Sequence, residues 1–122
     1  MRKNNPFDKF LSKEQILHIQ VCTYLELQYP KVFFIHPHNE GKRTPYERYL
    51  ADKMRIRRGA PDILIFAKRG NVSGLAIELK IKPNKSTQAQ NDCLDKLSIN
   101  GWWTKICWDF DGAKAIIDNY LK

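Results

Sequence analysis

Three charged residues at strand spacing carry the chemistry in this sequence: Asp62, Glu78 and Lys80. Asp62 follows the turn Gly59-Ala60-Pro61 and opens the apolar run Ile63–Phe66, while Glu78 and Lys80 belong to a second run, Leu75–Lys80. Side chains alternate faces along a strand, so Leu75, Ile77, Leu79 and Ile81 share one apolar face, and Ala76, Glu78 and Lys80 share the other. Two charged groups then point together off one sheet surface, with Gly74 and Ala76 small enough to leave space beneath them. Lys68-Arg69-Gly70-Asn71 reads as a hairpin turn, and antiparallel pairing through it brings the Asp62 carboxylate towards that of Glu78.

Two carboxylates at close range repel unless a cation sits between them. A hard ion such as Mg²⁺ takes oxygen ligands and keeps several waters, and Asp62, Glu78 and the backbone carbonyl of Leu79 supply the protein oxygens. Lys80, a compact cation, is then placed to orient the attacking water or to hold a scissile phosphate. That set suits hydrolysis of a phosphodiester. An isolated Glu-x-Lys is ordinarily an exposed, salt-bridged strand, with Glu78 paired to Lys80 or Lys82. The preceding Gly-Ala-Pro-Asp-Ile-Leu-Ile and the strand-turn-strand spacing favour the catalytic reading.

The elements that must position these groups are marked by local signals. Ser12-Lys13-Glu14-Gln15 is a capping box that starts a helix, and Tyr29-Pro30 ends it. Ile16, Ile19 or Gln20, Tyr24 and Leu27 recur along it at helical spacing and predict its apolar face. Val32–Ile35 reads as a short strand followed by a loop. Thr44-Pro45-Tyr46-Glu47, a capping box with proline at the first helical position, predicts a second helix to about Arg55. After the hairpin, Thr87-Gln88-Ala89-Gln90 is a further capping box, and Gln90, Leu94 and Leu97 recur helically and close at Asn100-Gly101. Trp102–Cys107 reads as a strand and Asp111 to Tyr120 as a last amphipathic helix. The result is one α/β domain over residues 1–122, with a mixed central sheet of about four strands flanked by helices.

The chain has 122 residues with 21 Lys plus Arg against 13 Asp plus Glu, a net charge of +8 that favours a polyanionic partner. The excess is uneven: the first 60 residues carry net +6 and the remainder +2. Lys42, Arg43, Arg48, Lys53, Arg55, Arg57 and Arg58 form a basic run with only Glu47 and Asp52 against it, and Lys85 extends it. We read it as a stripe that tracks phosphates, the alternative being a solvated helix face laced with ion pairs. The 43% hydrophobic fraction excludes wholesale disorder, and no apolar run approaches the ~18 residues of a membrane span. No secretory leader is expected. Cys22, Cys93 and Cys107 make neither a disulfide framework nor a zinc ladder; they read as buried, inert thiols in a reducing cytoplasm. His36 and His38 have no further cysteine or histidine at ligand spacing, so they read as loop packing or phosphate contacts. Trp102, Trp103 and Trp108 read as core residues before base-stacking ones.

The sequence resembles the PD-(D/E)XK nucleases, specifically the virus-type replication-repair nuclease (VRR-NUC) domains. The matches run nearly end to end: Glu14, His38-Asn39-Glu40-Gly41-Lys42-Arg43, Gly59-Ala60-Pro61-Asp62, Ile77-Glu78-Leu79-Lys80 and Gln90. The resemblance implies a restriction-endonuclease-like fold and DNA cleavage dependent on Mg²⁺, with Mn²⁺ able to substitute. Carried over by position, Asp62 and Glu78 are metal ligands and Lys80 the catalytic lysine. Glu14 is the helix-borne acid near the metal, directly or through water, and Gln90 is the supporting glutamine. Asn39 then joins Lys42, Arg43, Arg55, Arg57, Arg58 and Lys85 as a DNA contact. The sequence departs from the family pattern at Glu40, often glycine or another small residue, and at His18, often glutamine. Stand-alone domains of this kind, viral or bacterial, are associated with four-way junctions cut by a homodimer, and a two-fold dimer matches a junction's two equivalent strands. A monomeric flap or nicking nuclease and a non-catalytic DNA-binding module are the competing readings.

Overall fold

The computed structural model describes residues 5–37 and 44–122. A 3₁₀ turn over Pro6–Phe10 leads into α1 (Lys13–Gln28), β1 (Phe33–Ile35), α2 (Pro45–Lys53), β2 (Ile63–Phe66), β3 (Gly74–Leu79), α3 (Gln88–Ile99), β4 (Trp102–Cys107) and α4 (Phe110–Leu121). The sheet order is β1-β2-β3-β4, antiparallel between β1 and β2 and between β2 and β3, parallel between β3 and β4. The mixed sheet expected from the sequence is therefore present. Its parallel pair follows from α3, a crossover long enough to return the chain in the same direction.

The helix starts follow their capping chemistry. Ser12, Thr44 and Thr87 each accept from the backbone N–H three residues on, while Gln15, Glu47 and Gln90 reach back to the cap N–H. The β2–β3 link is closed by reciprocal backbone hydrogen bonds of 2.9 Å between Arg69 and Val72, with Gly70 at φ +58° in the turn. Among the described residues no helix is long and apolar enough to cross a membrane.

The core joins α1 and α4 to the sheet. Leu17, Val21 and Leu25 of α1 meet Ile63, Ile65, Leu75, Ile77 and Leu79 of the sheet and Ile117 and Leu121 of α4. This corrects the expected face of α1: Ile16, Ile19 and Leu27 are exposed. Apolar residues lie almost all round that helix, so periodicity does not select a side, and packing against α4 and β3 does.

Two smaller expectations are also corrected. A Cβ on Gly74 would lie 2.4 Å from the Trp102 ring, so this glycine admits the indole rather than clearing space under the charged residues. Trp102 is half-buried, edge-on to Phe66 at 5.2 Å, whereas Trp103 and Trp108 are exposed and not core. Cys107 is buried and Cys22 and Cys93 are half-buried. Burial pushes the Cys22 and Cys107 thiols up to about 11, which keeps them protonated and unreactive.

Candidate active site

β3 is the inner strand of the hairpin and is buried along its whole length. Ile63 faces Ile77 across the ladder, and continuing that register by one residue sets Asp62 opposite Glu78. The Asp62 side chain is fixed there, because Oδ2 accepts the Leu79 backbone N–H at 2.7 Å. Just past the strand, the Lys80 N–H donates to the Cys107 carbonyl at 2.9 Å, which extends the parallel ladder and holds the lysine at the sheet end.

Glu78 departs from the expected open sheet surface, since it is only 2% exposed. Its Oε2 is buried with no hydrogen-bond partner among the described residues. Burial, the hydrogen bond to Asp62 and the negative charges of Asp62 and Glu14 push its carboxyl up to about 9, with Lys80 opposing. A carboxyl pair facing one another, one oxygen orphaned in the interior, is a donor set that fits a divalent cation. Asp62, Glu78 and the Leu79 carbonyl are the residues that would hold it.

Beside this pair opens a cavity of about 570 Å³, whose wall includes Glu14, His18, His36, Asp62, Lys80 and Gln90. Glu14 and His18 are one turn apart on α1 and present the same side of the helix. Gln90 spends its side-chain carbonyl on the Thr87 N–H at 2.8 Å, so the capping role is real, and the same residue reaches the cavity wall. The loop that carries Asp62 is held against this helix start. Gly59 has φ +84°, and a Cβ there would come within 2.5 Å of the Ala89 backbone and 2.7 Å of the Gln90 nitrogen. The structure thus brings Glu14, Asp62, Lys80 and Gln90 to one cavity, with Glu78 enclosed next to Asp62.

The basic residues are placed differently. Arg57 and Arg58 are exposed on the loop before Asp62, and Lys85 is exposed between β3 and α3. Arg55, at φ +62°, turns its guanidinium back to donate 3.0 Å hydrogen bonds to the Asp52 and Lys53 carbonyls, so it also caps the end of α2. The predicted helix is accordingly shorter, ending at Lys53. Asn39, Lys42 and Arg43 lie outside the described residues, as does His38.

Sequence reasoning missed one cluster. His18, on α1, and His36, just after β1, meet edge-to-face with ring centroids 4.4 Å apart, and His36 Nδ1 lies 2.6 Å from the Asp62 carbonyl oxygen. Burial chiefly, and the neighbouring His36, lower the His18 pKa, against the pull of Asp62. Eighteen residues and a change of element separate the two histidines. The only local hint was the spacing of His18 from Glu14.

No family model and no curated protein matches the sequence. Solved structures do. One described as a VRR_NUC domain protein superposes with a TM-score of 0.75 over 91% of this chain and 89% of its own, at 22% identity. The chain has a VRR-NUC fold. A second structure, described as a VRR_NUC domain, matches with a TM-score of 0.53 over 84% of this chain and 96% of its own, at 18% identity. The VRR-NUC architecture thus accounts for nearly the whole chain.

Proposed function

We propose that residues 1–122 form one VRR-NUC nuclease domain that hydrolyses phosphodiester bonds in DNA with Mg²⁺, or Mn²⁺ in its place. The observation that carries this is the buried Glu78 Oε2, without a partner among the described residues, beside Asp62 at a cavity that Lys80 lines. When bound there, the divalent cation polarises a phosphoryl oxygen and lowers the pKa of water. Lys80 neutralises charge developing on the phosphate, and Glu14 and Gln90, both lining the cavity, position water and the Asp62 loop. Arg57, Arg58 and Lys85, with Arg55, Asn39, Lys42 and Arg43, contact the DNA backbone, as the net charge of +8 supports.

The substrate we infer is branched DNA, cut at four-way junctions by a homodimer. A small basic domain reads shape and phosphates rather than sequence, and two-fold symmetry matches a junction. Glu78→Ala separates catalysis from binding. It abolishes cleavage while affinity measured in chelator is kept or improved by removal of a negative charge. Loss of binding together with cleavage makes Glu78 structural and overturns its place in the site. Single cuts at flaps by a monomer would replace the junction-resolving reading.

A further inference from the structure

The carboxylate pair is not the only set of donors at this end of the sheet. His18 from α1, His36 from the segment after β1 and Asp62 from the start of β2 each offer one ligand atom, and these atoms lie within 4.8 Å of one another. All three residues line the cavity. The Asp62 carbonyl can only accept, so the 2.6 Å contact assigns the proton to His36 Nδ1 and leaves Nε2 as the ring's acceptor. A histidine oriented by donating one ring nitrogen to a backbone carbonyl is set up as metal-ligating histidines commonly are.

We propose that His18, His36 and the Asp62 carboxylate form a second cation position, one for a borderline divalent metal of the Zn²⁺, Co²⁺ and Ni²⁺ class. It stands beside the all-oxygen position of Asp62, Glu78 and the Leu79 carbonyl. Imidazole donors suit these metals, whereas an oxygen-only set suits Mg²⁺, so the two positions sort ions by ligand type. Two histidines and one carboxylate leave coordination open towards the cavity. Bonds of about 2.0–2.1 Å require the donors to draw in by about an ångström, which is a side-chain adjustment. Because Asp62 belongs to both positions, an ion on the histidines competes with Mg²⁺ for that carboxylate.

Metal binding is the readout, so failure of the nuclease reading leaves this site to stand or fall by itself. Co²⁺ is titrated into the chelator-stripped full chain and followed calorimetrically and by visible absorption, then displaced with Zn²⁺. The wild-type chain binds one Co²⁺ with d–d bands and no thiolate charge-transfer band. His18→Gln and His36→Gln each weaken binding at least about tenfold, the double variant leaves only the weaker binding that the oxygen position gives Co²⁺, and Glu78→Gln keeps the tight binding within about threefold. In case a variant misfolds, ¹⁵N spectra of wild-type imidazoles on Zn²⁺ addition give a second test, with the His18 and His36 ring nitrogens shifting. Unchanged affinity in the double histidine variant, a thiolate band, or unmoved His18 and His36 resonances overturns the proposal.

Discussion

In metal-free protein, burial of the Glu78 carboxyl makes the fold weaken as pH rises through the neutral range. Its Oε2 has no partner among the described residues, and its pKa moves from 4.5 in the free side chain up to about 9. Above pH 4.5 the unfolded chain gives up this proton while the folded chain keeps it. Folding stability therefore falls with pH until both states are ionised near pH 9. Each pH unit in that window is worth about 1.4 kcal/mol, so about 3 kcal/mol is lost between pH 5 and 7. Glu78→Gln removes the titration and with it that share of the slope. The assay is urea unfolding followed by circular dichroism at pH 5, 6 and 7 in chelator, for the wild type and the variant. Millimolar Mg²⁺ restores stability to the wild type at pH 7 and leaves Glu78→Gln little changed. Parallel pH profiles for the two proteins would refute the reasoning, since the carboxyl would then be solvated and its partner oxygen available.

Further outcomes follow from other sites. Gly59→Ala places a Cβ 2.5 Å from the Ala89 backbone at φ +84°, and the strain, about 1–3 kcal/mol, lowers Tm by several degrees in calorimetry. Gly70→Ala, with φ +58° but nothing within 4 Å, costs less. Asp118 accepts hydrogen bonds from the Tyr24 and Tyr29 hydroxyls, which with Lys114 hold its pKa down to about 2. Its stabilisation is full above pH 3.8 and is lost as pH falls through 2, so Asp118→Asn flattens the acid limb of a near-ultraviolet dichroism titration. Leu25 of α1, fully buried in the core with the sheet and α4, costs about 2–5 kcal/mol in urea unfolding when changed to Ala. DNA affinity falls with log salt with a slope of about −0.9 per phosphate neutralised, and an affinity indifferent to salt contradicts the basic-surface reading.

How much of this was legible in the residues depends on how local the determinant is. The capping boxes at Ser12, Thr44 and Thr87 and the Gly70-Asn71 turn are local chemistry, and the helix starts and the hairpin fall where they predict. Period-two alternation with a short turn was enough to set Asp62 opposite Glu78. Burial was not legible. Alternation assigns Glu78 a face, but cannot say that other elements enclose that face. The same limit hid the buried side of α1, whose apolar residues surround the helix, and the role of Gly74, which depends on the Trp102 ring from a strand 28 residues away. His18 and His36 share no motif, and only the tertiary fold, which brings α1, the segment after β1 and the start of β2 together, unites them with Asp62.

The most direct test of the account is cleavage of matched four-way junction, 5′-flap and linear duplex DNA by the purified chain. Each is run with Mg²⁺, with chelator and with Lys80→Ala. Paired, metal-dependent cuts across the junction, lost in the variant and in chelator, are the predicted result. Binding without cleavage under Mg²⁺ or Mn²⁺, or cleavage that survives Lys80→Ala unchanged, would contradict a nuclease centre built on Asp62, Glu78 and Lys80.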